Sequence, residues 1–263
     1  MSEQERFVQQ LWLDYIHHHP DVGALRLWPV DAPLEFFSLV TVSQSPWNMD
    51  SMTAQFIDLG YTDVERYAMA DRGLLVTLLA PPNDGAYLIL IELQTTRLSR
   101  APRDALISLI GQGSATGAPA IGAGRPWPMP DWRTYELLMS AHPLAAWLAI
   151  MGPRVHHVGF DCERLGSPVA QLHASLSDLG LCQTKSDASI FPVSALVEHR
   201  YYPTCSRRLA FADGDEHRVC LGGLSLVQKQ LDTGPERSAA LLLPHHTRCE
   251  VSCHSSSKDS SNC

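Results

Sequence analysis

The sequence predicts an α+β fold in which two βαβββ modules surround a shared cleft, and three observations support this prediction. An apolar, β-branched run opens each copy, at residues 36–42 and 154–162. A helical pattern follows each run and ends at a glycine, within the similar stretches FIDLGY (56–61) and LSDLGL (176–181). Three runs typical of strands follow each helix. A duplicated and diverged unit accounts for all three observations.

The composition predicts a packed, soluble protein and argues against two classes of function. The chain has 263 residues, of which 45% are hydrophobic and 18% are charged, and its net charge is −8. A duplex-binding protein needs a basic face, so nucleic acid is not an expected partner. No apolar run approaches the roughly 20 residues of a membrane-spanning helix, so no membrane partner is expected. The polar N-terminus and seven cysteines without a C-x-x-C pair favour a cytoplasmic location.

The first element is a predicted helix over residues 5–19, ahead of the modules. Leu11 and Tyr15 fall on one face at helical spacing, and Pro20 ends the pattern. The triplet His17–His19 at its end has two interpretations, a metal-binding tag or a solvated helix terminus. The second is favoured, because the helix dipole stabilises imidazolium groups at a C-terminus.

The elements of the two modules follow in the same order. In the first module, the pattern predicts a strand over 36–42, a helix from about Asp50 to Gly60, and strands at Val64–Met69, Gly73–Ala80 and Ala86–Leu93. In the second module, it predicts a strand at Arg154–Cys162, a helix from Val169 to Gly180, and strands at Ile190–Val197, Arg208–Ala212 and Val219–Val227, with a hairpin turn at residues 212–215.

These elements predict a single α+β domain over residues 1–243. Its modules span about 35–93 and 154–230, and residues 94–153 form a helical linker between them. The Ser-rich stretch 244–263 is predicted to be a disordered tail.

Five further stretches follow one another along the chain: FIDLGYTDVERYAM, AYLILIEL, RPWPMPDWRTYELL, PLAAWLAIMGPRVHHVGF and AFADGDEHRV. Together they resemble the 2-oxoadipate dioxygenase/decarboxylase family, whose members are non-haem iron enzymes related to the vicinal-oxygen-chelate fold. The likeness covers most of the chain, and the order and spacing of the stretches make it specific. It implies an Fe(II)-dependent oxidoreductase that uses O₂ to convert a 2-oxo acid, such as 2-oxoadipate, into a 2-hydroxy acid with loss of CO₂.

The resemblance also implies a site, and this chain departs from it. Such a site needs two histidines and one carboxylate as iron ligands. By resemblance, His157 occupies one histidine position, while Phe36 replaces the other histidine and Ser225 replaces the carboxylate. Val40 replaces the arginine that binds substrate. Glu92, on the last strand of the first module, is predicted by symmetry to act as a compensating ligand beside His157.

These replacements leave two main hypotheses for the function. The protein is either an active iron-dependent dioxygenase or a catalytically degenerate relative that binds a small acid or another protein. If it is active, the loss of positive charge at Val40 favours a less acidic 2-oxo acid. The pair Glu198–His199 and the group Cys249, Cys253 and His254 are interpreted as ordinary polar positions rather than metal sites. A third interpretation is a diverged C-terminus.

Overall fold

The computed structural model describes residues 2–24, 34–113, 124–178, 181, 190–194, 197–204 and 206–229. The helices are α1 (Glu3–His18), α2 (Pro20–Ala24), α3 (Met49–Asp58), α4 (Arg100–Ile110), α5 (Trp132–Ala141), α6 (Pro143–Met151) and α7 (Val169–Asp178), with a 3₁₀ helix at Thr95–Arg97. The strands are β1 (Leu34–Val42), β2 (Thr62–Met69), β3 (Leu74–Ala80), β4 (Tyr87–Leu93), β5 (Arg154–Asp161), β6 (Ile190–Ser194), β7 (Val197–Pro203), β8 (Arg207–Ala210), β9 (Glu216–Val219) and β10 (Gly223–Lys229).

Two βαβββ modules share one eight-stranded sheet of order β2-β3-β4-β1-β5-β10-β7-β6. In the first module the chain passes from β1 through α3 to β2, β3 and β4, and β4 pairs parallel with β1. In the second module it passes from β5 through α7, and β10 pairs parallel with β5. The modules meet where β1 and β5 pair antiparallel. The predicted fold class is therefore confirmed, and the two first strands lie at the centre of the sheet.

Local sequence explains where the helices of the first half begin and end. Ser2 and Glu5 form a reciprocal capping box at the start of α1, and the Asn48 side chain accepts from Ser51 N at the start of α3. Gly60 follows α3 with φ 93°, a conformation that glycine adopts without strain. These local signals agree with the tertiary structure, so the first module follows its predicted order.

The second module departs from the prediction in its last three strands. The predicted strand 190–197 divides into β6 and the start of β7, and the predicted strand 219–227 divides between β9 and β10. Residues 220–222 separate β9 from β10, and Gly222 has φ 143°. The predicted strand 208–212 lies outside the main sheet, because β8 pairs with β9 in a separate two-stranded sheet.

The hairpin of β8 and β9 is anchored by its turn and by aromatic contacts. Phe211 N donates to Asp215 O at 2.8 Å, as the predicted turn requires. The rings of Trp132 and His217 stack with centroids 3.7 Å apart. The predicted strand 208–212 therefore packs outside the main sheet, and the alternation of residues in the sequence does not show where a strand will pack.

The end of α1 is packed rather than solvated, which corrects the favoured interpretation of the histidine triplet. His19 is 1% exposed, and its Nδ1 lies 2.9 Å from Thr204 Oγ1. Because that hydroxyl donates to Gly222 O, His19 Nδ1 is the donor and carries the proton. The end of the helix therefore joins the segment that precedes β10.

None of the helices in the described ranges is both long enough and apolar enough to cross a membrane. The predicted extent of the domain, residues 1–243, stays a prediction, and the tail 244–263 lies outside the described residues.

Candidate functional site

The central strands bring three positions of the predicted iron site onto one face of the sheet. Phe36 of β1 is the register partner of Gly159 in β5, and Ser38 is the partner of His157. Ser225 of β10 is also a register partner of Gly159. Register partners point to the same side of a sheet, and so do residues two apart along a strand. Phe36, His157 and Ser225 therefore share a face, which is called the His157 face below.

Two aromatic rings hold His157 in place. The Phe36 ring lies edge-on to the imidazole with centroids 5.7 Å apart, and the Tyr201 ring does the same from the other side at 5.4 Å. The Phe36 ring lies over Gly159, where a β-carbon would overlap it, and a β-carbon at Gly223 would overlap both the Tyr202 carbonyl oxygen and the Tyr201 ring. Glycine at these two positions is therefore what lets the rings approach the sheet so closely.

A β-bulge at His156 places a second imidazole beside the first. Ser38 pairs with His157 and Leu39 pairs with Val155, so His156 is the extra residue of β5. The Nδ1 atoms of His156 and His157 are 3.1 Å apart, so one ring donates and the other accepts. If both rings are neutral, one Nε2 atom carries a proton and the other carries a lone pair. The pair can then offer one donor and one acceptor to a ligand.

Neutral hydroxyl groups complete the polar surface of this face. The hydroxyl of Ser225 is fully buried and has no hydrogen-bond partner among the described residues. Tyr201, its register partner on β7, is 4% exposed. A buried hydroxyl without a partner is costly, so a ligand oxygen near Ser225 would gain a hydrogen bond that the described protein atoms do not supply.

The described residues do not fit an iron site with two histidines and one carboxylate. Phe36 offers no lone pair, and Ser225 offers a neutral hydroxyl where the resemblance puts a carboxylate. Within the described ranges, no group of three histidine, cysteine, aspartate or glutamate side chains is arranged to hold a metal ion. On this face His157 keeps its predicted position, but its predicted co-ligands are missing.

Glu92 has a structural role on the opposite face of the sheet. It pairs with Thr41, which is one residue away from Val40 and therefore points away from the His157 face. Its Oε2 accepts from Met49 N at 2.5 Å, and its Oε1 accepts from Gln94 Nε2 at 2.5 Å. The carboxylate thus satisfies the first turn of α3, where the helix dipole favours negative charge. This geometry gives no support to Glu92 as a co-ligand of His157.

Val40 also lies on the His157 face, and the other predicted site positions lie elsewhere or outside the described residues. Val40 is fully buried, and its register partner on β5 is Arg154. Glu198 and His199 are strand positions of β7 that pair with β10. Cys249, Cys253 and His254 lie outside the described residues. The sequence predicted His157 but not its contact with His156, since the bulge that creates this contact depends on the pairing of β1 with β5.

Comparison with known proteins finds similarity in structure but not in sequence. No protein-family model matches the sequence, and no curated protein matches it. A protein from Shewanella frigidimarina, provisionally named a hydrolase, is 21% identical with a TM-score of 0.79, and the match covers 89% of this chain and 95% of that one. Hydroxyglutarate synthase from Oryza sativa, solved in complex with 2-oxoadipate, is 16% identical with a TM-score of 0.74, covering 94% and 93%.

A third solved structure also has a similar fold. A protein from Ralstonia eutropha, provisionally assigned to that superfamily, is 17% identical with a TM-score of 0.69, and the match covers 86% of this chain and 82% of that one. At these identities the likeness shows the fold alone.

Proposed function

We propose that the protein binds a small 2-oxo acid on the His157 face without an iron centre of the type implied by the resemblance. One observation carries the proposal. The three strand positions to which the resemblance assigns iron ligands lie on one face of the sheet. They carry the imidazole of His157, the phenyl ring of Phe36 and the hydroxyl of Ser225 instead of two imidazoles and a carboxylate. Hydroxyglutarate synthase, which has this fold, was solved with 2-oxoadipate, and this supports the class of ligand.

The polar groups of the His157 face suit an oxo acid. Carbonyl and carboxylate oxygens accept hydrogen bonds, and the Ser225 hydroxyl and the imidazole pair can donate them. Phe36 and Tyr201 supply apolar walls for a short carbon chain. The protein then holds the acid through neutral donors where an iron enzyme would chelate it.

A second candidate function is an iron-dependent dioxygenase that acts on a 2-oxo acid and O₂ to give a 2-hydroxy acid. The adjacent imidazoles of His156 and His157 favour it, because paired histidines are common ligands of iron. Such a site would also need a carboxylate, which the described residues do not bring to this pair.

Calorimetry and metal analysis on the same purified protein separate the two functions. We expect saturable binding of 2-oxoadipate in the presence of EDTA, no stoichiometric iron after expression in iron-supplemented medium, and no O₂ consumption with the acid. His157→Ala should weaken binding of the acid about tenfold, the usual effect of losing a buried polar contact. Val158→Ala is the matched control, because it shortens the neighbouring side chain on the opposite face.

The opposite results are equally specific. Stoichiometric iron that disappears in His157→Ala, together with O₂ consumption, would establish the dioxygenase. Absence of 2-oxoadipate binding both with and without Fe(II) would contradict both functions.

A further inference from the structure

Arg154 lies on the His157 face, a short distance along the sheet from the histidine pair. It opens β5 and is the register partner of Val40, while His157 is the partner of Ser38. Two residues along a strand correspond to about 7 Å. That separation is comparable to the distance between the two carboxyl groups of an extended six-carbon 2-oxo diacid.

The guanidinium group of Arg154 is buried but incompletely satisfied. The residue is 8% exposed, and its Nε lies 3.0 Å from Asp14 Oδ2. The two atoms are not aligned for a hydrogen bond, and neither has another hydrogen-bond partner among the described residues. A buried arginine is stabilised most by a bidentate, well-aligned carboxylate. Asp14 therefore only partly satisfies this cation.

His18 contacts Arg154 without contributing charge. Arg154 Nη1 and His18 Nε2 are 2.9 Å apart, and because an arginine has only donors, Nε2 must be the acceptor. His18 Nδ1 then donates to Asp14 O at 2.8 Å. The imidazole is neutral in this arrangement, and burial, followed among the lowering influences by the charge of Arg154, lowers the pKa of His18.

A second guanidinium group, that of Arg125, adds positive charge without a carboxylate of its own. Arg125 donates to Trp127 O at 2.9 Å and to Ile150 O at 2.5 Å, and among the described residues no carboxylate forms an ion pair with it. Its neighbour Gly124 is so close to Arg154 that a β-carbon there would lie 3.3 Å from Nη2. Burial, followed by the charge of Arg154, lowers the pKa of Arg125.

The described groups at this point carry a net positive charge of one, because two guanidinium groups accompany a single carboxylate, Asp14. We infer that Arg154, supported by the charge of Arg125, binds the distal carboxylate of a dicarboxylic 2-oxo acid. The inference rests on the proposed function and adds a specificity-determining subsite to it. The planar fork of an arginine matches a carboxylate, and one anion would balance the surplus charge.

This subsite reverses the expectation of a less acidic ligand. That expectation followed from Val40, which has no charge where the resemblance puts an arginine. Arg154 on β5 is the register partner of Val40 on β1. It therefore supplies a positive charge beside the position where the resemblance puts an arginine. A purely structural role for Arg154, as an ion pair joining α1 to β5, would not distinguish diacids from monoacids.

The test compares 2-oxoadipate with 2-oxohexanoate, which has the same six-carbon chain but lacks the distal carboxylate. We expect calorimetry on the wild-type protein to give about tenfold or greater preference for the diacid. Arg154→Met should reduce diacid affinity to the monoacid level, so that the preference for the diacid is lost. Arg125→Met should weaken the preference by a smaller factor, and the exposed Arg164→Met is the matched control.

Two results would overturn the inference while leaving the proposed function intact. One is equal affinity of the wild-type protein for the two acids, and the other is a diacid preference that survives in a folded Arg154→Met variant. If Arg154→Met does not fold, the wild-type comparison and Arg125→Met still decide the question. Failure of the wild-type protein to bind either acid would instead reject the proposed function itself.

Discussion

The side chains around His157 determine which class of ligand this imidazole can bind. Phe36 and Tyr201 contact it edge-on, His156 shares a hydrogen bond with it, and Ser225 lies across Gly159 on the neighbouring strand. None of these neighbours carries a formal negative charge at neutral pH. The surroundings therefore favour an anionic organic ligand over a divalent cation.

Restoring the two missing ligands should convert the site into an iron centre. The double variant Phe36→His and Ser225→Glu places two imidazoles and one carboxylate on the His157 face, so we expect stoichiometric Fe(II) binding by metal analysis under anaerobic conditions. The matched control is Phe37→His with Ser225→Glu, which puts the new imidazole on the opposite face. Equal iron content in the two double variants would show that the alignment of these strands with the iron site is wrong.

Acid should destabilise the protein through His19. Burial lowers the pKa of His19 to about 3, below its ordinary value of 6.5, and its Nε2 has no hydrogen-bond partner among the described residues. Between pH 6.5 and pH 3 the His19 imidazole binds a proton in the unfolded chain but not in the folded protein. The free energy of unfolding therefore falls as pH falls from 6.5 towards 3. At pH 5 the loss is about 2 kcal/mol, from 1.36 kcal/mol per pKa unit.

Urea unfolding at pH 7 and pH 5 measures this effect. His19→Gln should reduce the difference in unfolding free energy between the two pH values by about 2 kcal/mol. His17→Gln, at an exposed position two residues away, should leave the difference unchanged. An unchanged difference in His19→Gln would mean that the imidazole is protonated in the folded protein.

Among the secondary-structure elements, those with local signals were predictable and those shaped by tertiary pairing were not. The strands predicted in the first module correspond to β1 to β4, because glycine, proline and capping residues mark their ends. The bulge at His156 arises only because Ser38 and Leu39 pair with residues two apart on β5. The role of Glu92 was missed for the same reason, since its partner Met49 N belongs to a helix 43 positions earlier in the chain.

Removing the Glu92 carboxylate should weaken α3 without affecting ligand binding. We expect Glu92→Ala to lower the unfolding free energy by about 1–3 kcal/mol, because Met49 N and the helix dipole lose their partner. Affinity for 2-oxoadipate should not change. Glu65→Ala, on the exposed strand β2, is the control and should change stability by less than about 0.5 kcal/mol. A loss of acid affinity in a stable Glu92→Ala variant would place Glu92 in the binding site after all.

The two modules form a single sheet because their first strands pair with each other. The duplicated strand order was visible in the sequence from the repeated run, helix and glycine, and it predicted the fold class. The contacts across the junction were not visible, because Phe36 and Gly159 are more than a hundred residues apart in sequence and touch only when β1 pairs with β5. The candidate site is built from such junction contacts, so the sequence indicated its residues but not the contacts between them.

Crowding this junction should destabilise both modules together. In Gly159→Ala the new methyl group overlaps the Phe36 ring, so we expect a loss of about 2 kcal/mol or more, with far-UV circular dichroism and tryptophan fluorescence reporting one common transition. Adding Phe36→Leu should recover part of the loss. Gly23→Ala is the control, because its β-carbon would be in ordinary contact with Ile16 at 3.5 Å. Separate transitions for the two probes would indicate that the modules unfold independently.

Calorimetric titration of 2-oxoadipate into metal-free protein, repeated after addition of Fe(II), distinguishes binding by side chains from binding by iron. We expect saturable binding with the same affinity in both titrations, because the acid is held by side chains on the His157 face, Arg154 among them. Binding that appears only after Fe(II) is added would contradict this expectation.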